Sequence, residues 1–278
     1  MLGNVARTAV KTSAAAVDVV RRPAAGLVVL IYHRVGRRTS TEVDLPLALF
    51  EDQIAWLAAT LPVVSLEDGL AWTVGELGES GEGAAVDDIR VAITFDDGTA
   101  DFADQAVPVL DRYRVPATLY VATAFVEEQR SFPNDGVPLS WAALGESLAT
   151  GVVTVGSHTH SHALLDRLPD AEVADELDRS IDLIGERIGV TVGHFAYPKA
   201  VMGSPAADRA VRERFASAAL AGGRVNRPGR TDAHRLARTP VQLSDGETWF
   251  RRKARGGLAL EETIRGVVIR RRYSDATT

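Results

Sequence analysis

The stretch Ile-Arg-Val-Ala-Ile-Thr-Phe-Asp-Asp-Gly, residues 89–98, decides the reading of this chain. Its first seven residues are apolar or β-branched apart from Arg90, which suits a short strand buried in a parallel sheet. Two carboxylates follow at once, and Gly98 permits a tight turn. Residues 101–113 then show helical spacing through Phe102, Ala106, Val109, Leu110 and Tyr113, with Pro108 as a kink or as the true start. Residues 117–122 return to a strand, so the segment is a β-α-β unit with a right-handed crossover expected.

The same alternation extends in both directions. Upstream, residues 27–32 form a β-branched run that ends at His33, and Pro46 opens a helix carrying Leu49, Phe50, Ile54, Trp56 and Leu57. The Gly-rich, acidic stretch 75–88 reads as a surface loop. Downstream follow a loop at 130–138, a helix near 140–148, a strand at 152–155, a helix at 170–188, a strand near 194–197 and a helix at 205–215. Such alternation argues for an α/β fold with a parallel sheet or barrel, and no solenoid repeat is visible.

Composition narrows the function classes. With 46% hydrophobic and 24% charged residues among 278, the chain is of ordinary globular type. Its net charge of −6 argues against nucleic acid as a partner. There is no cysteine, so disulfides, thiolate metal sites and cysteine nucleophiles are excluded, and any metal must be held by His, Asp or Glu.

The termini suggest a location. The longest apolar run, residues 24–32, falls well short of the roughly 20 residues that a membrane-crossing helix needs. Residues 2–20 read as a weakly amphipathic helix with its stripe at Leu2, Val5, Ala9, Ala16 and Val20, interrupted by Arg7, Lys11 and Asp18 as no signal peptide would be. The expected location is therefore cytoplasmic. Residues 251–272 carry a charge of +6, which fits a solvated tail, contact with the body of the protein, or peripheral contact with an anionic membrane surface or other polyanion. The expected organisation is an N-terminal helical extension (1–26), a barrel (27–247) and a basic C-terminal tail (248–278).

The chemistry-bearing residues follow the strands: His33, then Asp96 and Asp97, then His158, His160 and His162, then Tyr197-Pro198. In parallel α/β architectures the C-terminal strand ends are where sites are built. Adjacent side chains on a strand diverge, so one of Asp96 and Asp97 can bind a metal while the other acts as a base toward water. In Ser-His-Thr-His-Ser-His, residues 157–162, His158 and His162 lie four apart and converge if a helical turn begins there, which leaves His160 out of phase. Two imidazoles and one carboxylate form a three-ligand zinc set with a fourth position open, the pattern of a catalytic site. Two other motif families fail here. Phe95 stands where a haloacid-dehalogenase phosphatase needs its aspartate nucleophile, and His162-Ala163 stands where a metallo-β-lactamase motif needs Asp-His.

Taken together, Thr-Phe-Asp-Asp-Gly at 94–98 and the His cluster at 157–162 resemble the polysaccharide deacetylase, or NodB-homology, superfamily over roughly residues 27–245. The resemblance implies an irregular (β/α) barrel of TIM-like type and a divalent-metal hydrolase of carbohydrate metabolism that removes N-acetyl groups from N-acetylhexosamine units of a polysaccharide or oligosaccharide. By position it makes Asp96 the general base and Asp97, His158 and His162 the metal ligands, with zinc as the default and cobalt or nickel as alternatives. The family's third motif, often Ala-Tyr-Pro-Tyr-Gly, corresponds to residues 196–200, where Lys199 replaces the aromatic residue and Ala200 the glycine. The Lys199 N–H stands where relatives place their oxyanion donor, beside Tyr197 and Pro198. The chain has no histidine after His234, so the family's late general-acid histidine is missing. His33, in Tyr32-His33, resembles the acid of the permuted branch, whose Tyr-His motif is N-terminal. Arg238 matches a late basic position that orients Asp96, and Trp141 is a candidate to stack on a sugar face, with buried packing as its alternative. A small amide or lipid-linked sugar as substrate, or a catalytically degenerate binding protein, are the competing readings.

Overall fold

The computed structural model describes residues 2–20, 24–74, 88–261 and 263–264. The expected acidic loop lies outside these residues except for Asp88, as does most of the basic stretch beyond 264. In chain order the elements are α1 (Leu2–Val20), β1 (Gly26–Tyr32), β2 (Arg34–Val35), β3 (Asp44–Leu45), α2 (Leu47–Thr60), α3 (Leu66–Val74), β4 (Ile89–Phe95), α4 (Val107–Arg112), β5 (Ala117–Val121), α5 (Thr123–Glu127), α6 (Trp141–Ala149), β6 (Val153–Ser157), α7 (Asp170–Ile188), β7 (His194–Ala196), α8 (Pro205–Arg214), β8 (Ser217–Ala221), β9 (Leu236–Pro240) and α9 (Gly246–Ala254). A π-helical turn, Phe102–Ala106, leads into α4 and seats Pro108 in the helix's first turn, where no N–H is needed.

Seven strands close a parallel barrel in the order β1-β4-β5-β6-β7-β8-β9, with β9 returning to β1. Every residue of β1 is buried, because one set of side chains faces the lumen and the other faces the helices. Leu27 and Val29 meet Ala92, Tyr120, Ala196, Ala219 and Leu236 inside, where α3 contributes Leu70 and Trp72. Val28, Leu30 and Tyr32 join the outer core with Phe50, Ile54, Phe95 and Leu110. The barrel is irregular at one seam: β6 and β7 pair only at Ser157 and Phe195. Below that pair a cavity of about 630 Å³ opens among Val153, Val155, Val190 and His194, at the N-terminal strand ends.

Among the described residues, α1 and α9 are joined to the barrel by buried contacts. Phe250 of α9 is buried in the main core. Lys11 of α1 is buried and donates to Asp245 Oδ1 at 2.5 Å, Lys253 donates to Asp245 Oδ2 at 3.0 Å, and both ammonium groups face Glu261 at 4.0 and 3.6 Å. Consequently α1 turns Lys11, Ala14 and Ala15 inward, while Ala9, Ala16 and Val20 of the expected apolar stripe are exposed. No helix among the described residues is long and apolar enough to cross a membrane.

Candidate active site

The residues singled out by sequence gather at the C-terminal end of the barrel. Their strand ends are tied laterally: Asp96 N–H donates to Tyr32 O at 3.1 Å, Ala122 N–H to Asp97 O at 3.0 Å, His158 N–H to Val121 O at 2.9 Å and Tyr197 N–H to Ala219 O at 3.1 Å. Each side chain at this mouth is thus fixed by a backbone bond to the neighbouring strand.

Asp97 has φ 78, a left-handed conformation that Asp tolerates better than most residues, and Gly98 continues the turn at φ 100. The turn sends the two carboxylates apart. Asp97 Oδ1 lies 3.5 Å from His162 Nε2 and 3.8 Å from His158 Nε2. The imidazoles converge through an irregular loop, not the expected helical turn, because Thr159 and His162 each take φ 64. His158 Nδ1 lies 2.7 Å from Ala196 O. A carbonyl can only accept, so the proton sits on Nδ1 and the Nε2 lone pair faces Asp97. Burial, helped by His162, holds His158 down to about 4 against the pull of Asp96 and Asp97. For Asp97 burial acts upward, but the hydrogen bond to His162 and the charges of His33 and His162 outweigh it and leave the carboxyl far below the usual range. A neutral imidazole and an ionised carboxylate, with His162 beside them and all three ligand atoms within 4.8 Å of one another, fit a divalent cation.

Asp96 points into the lumen, where it meets Arg238 of β9. The guanidinium grips it with both forks, Nη1 to Oδ1 at 2.6 Å and Nη2 to Oδ2 at 2.9 Å, and Nη1 also reaches Thr94 Oγ1 at 3.2 Å. Arg238 lies over the Tyr120 ring, 5.1 Å from its centroid. Burial alone would raise Asp96; the charges of Arg238 and His158 overcome it and hold the carboxyl below its ordinary value. The buried Asp96 carboxyl therefore stays ionised.

The remaining expected residues divide. His33 follows β1, its charge acts on both Asp96 and Asp97, and its Nδ1 is buried with no hydrogen-bond partner among the described residues. Lys199 is exposed at the mouth. Tyr197 and Pro198 are buried; the Tyr197 hydroxyl reaches Asp208 of α8 at 3.4 Å, so its side chain braces the outer layer. Trp141, the first residue of α6, is half-buried against the main core, its indole N–H donating to Glu127 at 2.7 Å. Out of phase as expected, His160 is buried and bonded through Nδ1 to Thr123 Oγ1 at 2.9 Å.

Sequence reasoning missed the aromatic wall of the site. Phe125 meets His162 edge-on at 6.4 Å between centroids, Phe132 stacks on Phe125 at 4.3 Å, and Arg130 lies 4.2 Å from the Phe125 centroid. Glu176 of α7 also escaped notice: its Oε2 accepts from Ser161 N–H at 2.8 Å and its carbonyl from His160 N–H at 3.2 Å. Neither has a sequence signal, because each acts across a loop.

A closed (β/α) barrel carries two histidines and paired aspartates at its C-terminal mouth, a donor set suited to metal-assisted hydrolysis. The family model described as polysaccharide deacetylase matches residues 83–216 of this chain. Among solved structures, IcaB from Ammonifex degensii is 26% identical, with 84% of this chain and 98% of that chain covered and a TM-score of 0.71. The deacetylase PplD of Streptococcus pyogenes, solved in complex with acetate, is 18% identical, covering 83% and 99% with a TM-score of 0.69. A de-N-acetylase from Aggregatibacter actinomycetemcomitans is 19% identical, covering 82% and 99% with a TM-score of 0.66. No curated protein matches the chain.

Proposed function

We propose that the protein is a metal-dependent hydrolase that removes N-acetyl groups from N-acetylhexosamine units of a polysaccharide or oligosaccharide. The observation that carries this reading is the convergence of Asp97, His158 and His162 beside an Asp96 held ionised by Arg238. Bound by those three residues, a divalent cation, with zinc favoured by the donor set and cobalt or nickel compatible with it, supplies Lewis-acid polarisation of the acyl carbonyl and acidifies water. Asp96 accepts the proton of the attacking water, while Arg238 keeps its oxygens aimed. The Lys199 N–H donates to the oxygen that gains charge as the carbonyl becomes tetrahedral. His33 donates a proton to the sugar nitrogen as the carbon-nitrogen bond breaks, so acetate and a free amine leave.

Elemental analysis of protein purified without chelator, paired with acetate release from N-acetylglucosamine oligomers, tests the reading. About one metal per chain and chelator-sensitive acetate release support it; a metal-free protein with undiminished activity overturns it. The proposal extends to location, a cytoplasmic enzyme with peripheral contact at an anionic membrane surface. Val17, Val19 and Val20 of α1 are exposed, and the sequence continues into Arg21-Arg22. Cosedimentation with anionic vesicles supports this extension, and equal recovery with neutral vesicles removes it.

A further inference from the structure

Lys199 has no counterpart in the aromatic residue expected at its position, and its surroundings give that charge a use. It stands in the turn after β7, three residues beyond Ala196, whose carbonyl lies 2.7 Å from His158 Nδ1. The turn there is fixed: Ala200 N–H donates to Tyr197 O at 2.9 Å and Val201 N–H to Pro198 O at 3.1 Å, with Lys199 at φ 54 and Ala200 at φ 56. The lysine itself is exposed.

Among the described residues no carboxylate pairs with Lys199. The acid nearest in this layer, Asp208, is already engaged by Arg212 at 3.1 Å and Arg235 at 2.9 Å. A second cation, Arg130, lies over Phe125, the ring that packs edge-on against His162. Arg130 faces Glu128 at 3.8 Å with both groups exposed, so its charge is weakly neutralised. Two exposed cations thus accompany the site. A lysine offers no ring for a neutral sugar face, but as a compact point charge it suits a carboxylate or phosphate.

Resting on the deacetylase reading above, we propose that Lys199 is a specificity-determining residue that selects an anionic substrate, an N-acetylated amino sugar with a carboxylate or phosphate next to the acylated position. Its ammonium group binds that anion while its own backbone N–H faces the acyl oxygen, so one residue fixes both ends of the acylated unit. Arg130 adds to the attraction.

The test compares kcat/KM for acetate release from three probes: a neutral N-acetylglucosamine tetramer, a tetrasaccharide alternating N-acetylglucosamine with glucuronate, and N-acetylglucosamine 6-phosphate. The expected result is a preference for one anionic probe over the neutral one of about tenfold, the low end for a hydrogen bond to a charged group. That ratio collapses in Lys199→Gln, persists in Lys199→Arg, and shrinks with added salt. The anionic probe that responds identifies carboxylate or phosphate as the source. A wild-type preference for the neutral tetramer, or equal losses on all probes in Lys199→Gln, overturns the proposal. If no probe releases acetate from metal-loaded protein, the deacetylase reading fails; equilibrium binding of the same probes to wild type and Lys199→Gln then decides the charge selection by itself, with equal affinities refuting it.

Discussion

Replacing Arg238 with methionine tests whether Asp96 is held ionised by one buried partner. Arg238 is 1% exposed and its guanidinium donates to both oxygens of Asp96, a residue itself 5% exposed. Methionine restores much of the volume but none of the charge. Removing one member of a buried ion pair costs about 3–5 kcal/mol, because the other is left unpaired. With an unfolding entropy of about 2.1 cal/mol/K per residue, that loss lowers the melting temperature of a chain this long by about 5–9 °C. The pH dependence has a definite sign. In the native protein Asp96 titrates below its unfolded value, so its ionisation stabilises the fold above the unfolded carboxylate pKa, and that contribution is lost as pH falls through the lower folded value. In the variant burial prevails, the folded value moves above the unfolded one, and the destabilisation is greatest near neutral pH and shrinks toward acid. Urea unfolding of chelator-treated wild type and variant at about pH 8 and about pH 5 measures both effects. A loss below about 1 kcal/mol, or one equal at both pH values, refutes the reasoning. Acetate release should fall about a hundredfold as the base loses its orientation, with metal content unchanged.

Lys11→Met should destabilise the fold by about 3 kcal/mol, since buried Asp245 then loses one of its two ammonium partners; the urea midpoint reports it. Burial acts upward on Asp245, and the charges of Lys253 and Lys11 hold it below its ordinary value, so the cluster's contribution should vanish as pH drops through the acid range. Ala200→Gly should stabilise by about 1 kcal/mol, because φ 56 strains a side chain that glycine lacks, and the same urea titration checks it. Asp97→Ala and His158→Ala should each abolish stoichiometric metal in elemental analysis. His160→Ala should retain it, because His160 bonds Thr123 and stands outside the triad.

How far the sequence reaches depends on the range of the force that places each residue. β1 and β4 are legible because both faces are buried, which leaves uninterrupted apolar runs ending in His33 and in Asp96-Asp97. β8, Ser217–Ala221, is not, since small residues suffice where the lumen is narrow and alanine carries no strand signal. The helical period of α1 is legible but its inward face is not: an ammonium is buried only where partners neutralise it, and those of Lys11 lie 234 and 250 positions away. Phe125 escapes for the same reason, since the loop that brings it to His162 has no period.

Backbone strain sets a different limit. Asp97, Thr159, His162, Lys199 and Ala200 all have positive φ, and none is glycine, the one residue whose presence would announce it. At about 1–2 kcal/mol for an ordinary side chain, such conformations persist only where surrounding bonds over-determine them. Here those bonds run from Ala122 N–H to Asp97 O between strand ends, from Ala124 N–H of α5 to His160 O in the loop, and within one turn from Ala200 N–H to Tyr197 O. The last of these explains why the turn survives without its expected glycine. Lys199-Ala200 thus keeps a turn closed by its own backbone bonds while it presents an exposed charge after β7.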